Sequence, residues 1–202
     1  MDSEYPLEKT GFSDCLVKCN RLDQLGFEQW AFHPGMLFHS GDRWWGKESK
    51  RDRPHEGLDL CFYGDKQGQY HSLDDKTRIP VMYDGEIIKI DNDLLGQSIY
   101  VGHSIYDSAG NRLHTIYGHT RHYDSVHQGS TLNEGEIIAT IAAAEKRTAR
   151  IPPHLHLSIA WIPRSLPHER LNWDALGTPG IITLLDPLKV IGCRYTILKP
   201  AA

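Results

Sequence analysis

The spacing of hydrophobic positions changes once along the chain. In SDCLVKCNRLDQLG, residues 13–26, Leu16, Cys19, Leu22 and Leu25 fall at helical spacing. This predicts a short amphipathic helix, capped by Ser13 or Asp14 and ended by Gly26. An aromatic-rich stretch follows, with Phe27, Trp30, Phe32, Phe38, Trp44 and Trp45. The charged segment KESKRDR then reads as a solvated loop. From residue 58 the texture becomes that of short strands: LDLCFY, RIPVMY, EIIKI, SIYVGHSIY, LHTIYGH, EGEIIATIA and HLHLSIAW. Asp84-Gly85 predicts a two-residue hairpin between RIPVMY and EIIKI. DSAGNR, residues 107–112, predicts the turn between the next two strands. There is no β-α-β rhythm and no solenoid repeat, so the pattern predicts an antiparallel, mainly β core. The Pro-rich tail from Ile162 carries a predicted short helix near 184–191.

Composition narrows this picture. Of 202 residues, 40% are hydrophobic and 24% charged, enough for a core and too apolar for wholesale disorder. The net charge of −4 gives no basic footprint for nucleic acid or an anionic membrane. No apolar run is long enough to span a bilayer. The N-terminal MDSEYPLEKTGFSDC shows neither a basic nor an apolar signal region. Four cysteines do not make a disulfide scaffold, and Cys15 and Cys19 read as small apolar residues on a helix face. The 12 histidines are the unusual feature.

Strand alternation sorts some of them. In HLHLSIAW, His154, His156, Ser158 and Ala160 share one face, and Leu155, Leu157, Ile159 and Trp161 share the other. The apolar face serves the core, so the two imidazoles project together on the opposite side. Upstream, RPHEGLDL begins like the zinc-protease helix motif H-E-x-x-H but has Asp59 where the second His belongs. Gly57 and Pro54 disfavour a helix, and LDLCFY has strand character. The segment therefore reads as a turn entering a strand, with Gly57 permitting the turn. Even spacing puts His55 and Asp59 on one side and turns Glu56 away. A His, Asp and His set with one open position is the donor set of catalytic zinc. Of the remaining histidines, His103 reads as packed and His114 as exposed. His33, His39, His71, His122, His127 and His168 have no evident partner. Tyr117 shares the strand face of His119.

These segments together resemble the lysostaphin/LytM-type zinc metallopeptidases. HEGLD is similar to their H-x-G-x-D, HLH to their H-x-H, and LHTIYGHT to the strand ending in Y-x-H. RIPVMYDGEIIKI, GQSIYVGH and GSTLNEGEIIATIA resemble the family's intervening elements in order, from about Gly41 to Trp161. GDRWWG is a loose counterpart of the aromatic/Arg/Gly pattern before H-x-G-x-D. The resemblance implies a barrel-sandwich (duplicated hybrid motif) core with a short N-terminal helix and an irregular C-terminal extension. It divides the chain into an N-terminal extension, 1–40, a LytM-like domain, 41–161, and an extension packed on the core, 162–202.

The implied roles are His55, Asp59 and His156 as ligands of one Zn²⁺ per chain, His154 as general base and His119 as the second catalytic histidine. The implied activity is zinc-dependent endopeptidase action on peptidoglycan peptides or another Gly-containing peptide, at the cell envelope or outside the cell. One departure lies in AAAEKRTARIPP, residues 142–153, which is basic and lacks Gly where the family carries a Gly/Ser/Thr-rich loop that shapes the groove; the absence of the signal region that such an activity would call for is the more serious one. The altered loop sustains a second reading, a non-hydrolytic binding or regulatory module on the same fold. A phosphocarrier of the related fold would also pair histidines, but it has no use for a carboxylate at Asp59.

Overall fold

Strand character from residue 58 onward decides the architecture, which is mainly β. The computed structural model describes residues 7–46, 50–143 and 151–199. Residues 144–150, the centre of the AAAEKRTARIPP loop, lie outside them. The strands in chain order are β1 (Phe27–Phe32), β2 (Leu58–Leu60), β3 (Phe62–Asp65), β4 (Tyr70–Ser72), β5 (Arg78–Pro80), β6 (Gly85–Asn92) and β7 (Gln97–Tyr106). They continue with β8 (Arg112–His122), β9 (Thr131–Leu132), β10 (Ile137–Ile141), β11 (Leu155–Ile162), β12 (Thr183–Leu185) and β13 (Tyr195–Ile197). One sheet runs β13-β1-β3-β4; the larger runs β12-β11-β8-β7-β6-β9, with β2 joined to β11, and β10 bridging β5 and β8. All pairings are antiparallel except β1 with β13. No described helix is long and apolar enough to cross a membrane.

The alternation read in HLHLSIAW holds. Leu155, Leu157, Ile159 and Trp161 join the main core, which also takes Trp30 and Phe32 from the smaller sheet. Burying each such side chain contributes roughly 1.5–3 kcal/mol. Ala160 and Ile162, on the histidine face, belong to a second core with Ile116, Leu171, Leu176 and Ile182. The C-terminal segment therefore covers the far end of that face. It also bears on His114, which is 3% exposed rather than on the surface and shares a pocket with Leu166, His168 and Leu171 of that segment.

Several local expectations change. The helix is α1 (Phe12–Cys19), followed by a 3-10 turn at Leu22–Leu25, and Leu25 is exposed. Neither Ser13 nor Asp14 caps α1, whose N-cap is Gly11. Ser13 is buried and accepts a hydrogen bond from Trp30 Nε1 at 2.8 Å. Gly26 does end the segment, at φ +87. LDLCFY divides at Cys61, because β2 pairs with β11 and β3 with β1 and β4. The Asp84-Gly85 hairpin does not form. β5 pairs with β10, and β6 with β7 and β9. Gly85 is there for space: a Cβ would lie 2.8 Å from Gly102 O. The turn at 107–111 is as expected, closed by Asp107 accepting Ala109 N and Asn111 N. In the tail, the 184–191 segment is no α-helix: it holds the end of β12 and a 3-10 turn at Pro187–Lys189. The helix there is the unexpected α2 (Trp173–Leu176), capped by Asn172.

Candidate metal centre and active-site groove

The register of β2 against β11 puts Asp59 opposite His156. His55, just before β2, is fixed by mutual backbone bonds with the 39–40 loop. Three donor atoms then converge. His55 Nε2 is 3.1 Å from Asp59 Oδ1 and 3.1 Å from His156 Nδ1, and His156 Nδ1 is 2.9 Å from Asp59 Oδ1. All three residues are buried. Gly57 sits in a bend, and it makes the approach possible by its small size. Its φ is not positive, and a Cβ would sit 2.3 Å from Leu157 O and 2.8 Å from His156 Nε2.

The outer atoms decide what the inner ones offer. His55 Nδ1 donates to Leu37 O at 3.0 Å, so its Nε2 presents a lone pair. His156 Nε2 is 3.0 Å from Ser158 Oγ, and with the proton on Nε2 its Nδ1 does the same. Burial pushes the His156 imidazole down to about 4, against the opposing pull of Asp59, so it is neutral. Burial would push the Asp59 carboxyl up, but His55, His154 and the imidazole contacts outweigh it and hold it well below the usual carboxylate range. Two lone pairs and a carboxylate oxygen thus face one another in a buried space, an arrangement that calls for a cation. Donors around tetrahedral Zn²⁺ at about 2.0–2.1 Å lie roughly 3.3 Å apart, close to the spacing seen here. Asp59 Oδ2 is occupied separately, by Trp44 Nε1 donating at 2.6 Å and by Arg51 Nη2 at 3.5 Å. That leaves Oδ1 for the centre.

His154 stands beside this set, its Nε2 3.8 Å from Asp59 Oδ1. Its Nδ1 donates to Pro152 O at 2.9 Å, which leaves Nε2 as the free acceptor. Burial lowers its pKa, against the pull of Asp59, and keeps the ring neutral. His119 arrives by a different route. The β7–β8 register shifts between Gln97–Thr120 and Ile99–Tyr117, which places one extra residue on β8. His119 is at φ +62 within this bulge. The bulge breaks the alternation that would have put Tyr117 and His119 on one face. Tyr117 points into the core and its hydroxyl accepts from Met82 N, whereas His119 lies 4.9 Å, centroid to centroid, from His154. Asp93 holds it: Oδ2 accepts His119 N at 2.8 Å and Oδ1 accepts Nδ1 at 3.1 Å. Burial opposes ionisation of Asp93, but these bonds and that from Ser98 prevail and keep it well below the usual range.

A groove of about 330 Å³ opens over the centre, lined by Trp45, Arg51, Glu56, Leu94, His119 and Trp173 among others. Glu56 was expected to turn away and instead stands on this lining, because the chain at 55–57 is a loop and not yet strand. Trp45 lines the groove, as was open for it, and carries the Arg51 guanidinium 4.7 Å from its ring centre. Asp93, Arg51 and Trp173 escaped the sequence reading. Asp93 follows a strand without a motif, and Trp173 sits in a tail with no periodicity. His103 is packed as expected, between Asp84 O and Thr115 Oγ1. Of the six unassigned histidines, none lines this groove.

No curated protein matches the chain. Among solved structures it is similar to lysostaphin, at 19% identity and TM-score 0.43, over 74% of this chain and 47% of that one, so it spans about half of lysostaphin's length. It is also similar to CbpA from L. salivarius REN, at 18% identity and TM-score 0.43, over 78% of this chain and 84% of that one. A third is the catalytic domain of the prophage-encoded M23 protein EnpA from Enterococcus faecalis, at 19% identity and TM-score 0.39, over 78% and 94%. The model of peptidase family M23 matches residues 64–167, which include His119, His154 and His156 and begin just after His55 and Asp59. By that match over half its length, the chain belongs to peptidase family M23.

Proposed function

We propose that the protein is a zinc metalloendopeptidase acting on peptide bonds of peptidoglycan stem peptides or cross-bridges. The observation that carries this reading is the convergence of His55 Nε2, Asp59 Oδ1 and His156 Nδ1, at 2.9–3.1 Å from one another, in a member of the M23 family. One Zn²⁺ held by these atoms would supply a Lewis acid for the carbonyl and lower the pKa of water toward 7. His154 Nε2, free and neutral, takes the proton from the attacking water and passes it to the leaving amine. His119, its ring set by Asp93, presents its other nitrogen to the groove. From the groove lining it stands within reach of the oxyanion as a polar contact. Trp44 and Arg51 keep the Asp59 carboxylate in one orientation.

The test is zinc analysis of the purified chain combined with hydrolysis of crosslinked muropeptides, with His154→Ala as control. The reading expects about one zinc per chain and new peptide termini for the wild type, and zinc without hydrolysis for the variant. Hydrolysis by His154→Ala at the wild-type rate would remove His154 as the base. Full zinc content with no turnover of any muropeptide would favour the binding-module alternative.

A further inference from the structure

One wall of the groove comes from a segment beyond residue 167, where the family match ends. Trp173 opens α2, and its place is fixed from three sides. Leu171 and Leu176 are buried in the second core, and Asn172 Oδ1 accepts Ala175 N at 2.9 Å. The indole ring centre is 4.8 Å from that of His156, with the planes nearly perpendicular. Its edge lies so near Gly118 that a Cβ there would be 3.0 Å from it. The ring therefore stands beside His156 on the groove lining, where it bounds the space open to a substrate side chain at the centre.

The indole nitrogen has a second connection. Trp173 Nε1 donates to Ser98 Oγ at 3.0 Å, and Ser98 Oγ donates to Asp93 Oδ2 at 2.7 Å. Asp93 in turn accepts both the backbone N and Nδ1 of His119. A chain of hydrogen bonds thus runs from the C-terminal segment to the imidazole facing the groove.

We infer that Trp173 is a specificity-determining residue that limits side-chain size beside His156, and that through Ser98 and Asp93 it also positions His119. This rests on the peptidase reading, and the two functions of the indole separate by substitution. Trp173→Phe keeps most of the wall and breaks the hydrogen-bond chain. Ser98→Ala breaks the chain and leaves the wall untouched. Trp173→Ala removes both. Where Trp173→Ala does not fold, Trp173→Leu shortens the wall while still filling the base of the site.

The experiment uses the full chain loaded with zinc and two peptides, an oligoglycine and the same peptide with one central leucine. Binding is followed by calorimetry and cleavage by mass spectrometry. The wild type should favour oligoglycine, and Trp173→Ala or Trp173→Leu should shrink that preference roughly tenfold, chiefly through KM of the leucine peptide. Trp173→Phe and Ser98→Ala should keep the preference and lose kcat on both peptides. An unchanged preference in the folded Ala or Leu variant overturns the wall. Unchanged kcat in both Phe and Ser98→Ala variants overturns the positioning. Selective binding without cleavage would support the wall and sink the peptidase reading alone, whereas no binding of either peptide would overturn both.

Discussion

Two groups of buried histidines lie on or beside the same large sheet and differ in what their inner nitrogens face. His103 and His114, on β7 and β8, are sealed in. His103 has both nitrogens engaged, by Asp84 O and Thr115 Oγ1, and His114 Nδ1 meets Arg112 O. His55, His154 and His156 each tie one nitrogen to an outer partner, Leu37 O, Pro152 O and Ser158 Oγ, and turn the other toward Asp59. Burial is common to both groups. What sets the second apart is lone pairs gathered around one ionised carboxylate, the condition for cation binding rather than for packing.

The sharpest way to break the comparison is to remove one member of the converging group. His154→Ala should lower hydrolysis by about 10²–10⁴-fold while zinc content stays at the wild-type level, because the base is lost and no ligand is. Loss of zinc in that variant would place His154 among the ligands instead.

The packed group makes a prediction about stability. Burial pushes both His103 and His114 down to about 4, from an ordinary 6.5. The unfolded chain then binds more protons between those values. Stability is therefore full above about pH 6.5 and falls as pH drops toward 4, by on the order of 2–3 kcal/mol per ring. Urea unfolding with chelator present, compared between wild type and His114→Phe, isolates one ring: the variant should lose less stability between pH 7 and 4.5. Equal losses would mean that His114 titrates normally in the folded state.

Smaller effects test the supports of the converging group. Trp44→Phe removes the donor to Asp59 Oδ2, and zinc affinity measured against a competing chelator should fall about 10–100-fold. Asp93→Asn removes the charge behind His119. It should lower kcat roughly tenfold with zinc content unchanged, since Asp93 touches no expected ligand. A drop in zinc with Asp93→Asn, or none with Trp44→Phe, would reverse the assignment of these two supports.

How much of this was legible in the sequence follows the same division. The strand alternation of HLHLSIAW depends only on local backbone period and carries through to the structure; His55 and Asp59 converge as expected, but His55 does so from a loop, where the alternation that was to turn Glu56 away does not apply. His119 was legible as a residue through its similarity to Y-x-H, but its direction was not, because a bulge at φ +62 overrides alternation. The burial of His114 and the wall at Trp173 depend on a C-terminal segment that returns across the sheet, and no periodicity in that Pro-rich tail announces it. The Asp84-Gly85 turn misled for a related reason. Two residues that favour a hairpin instead carry the chain between ladders, where Gly85 is needed for its small size.

The central claim is that His55, Asp59 and His156 form a zinc centre. The direct measurement is metal content of the zinc-equilibrated full chain by plasma mass spectrometry, for the wild type and for His156→Ala. The account predicts about one zinc per wild-type chain and almost none in a folded His156→Ala. Equal zinc in the two proteins, or none in the wild type, would contradict it.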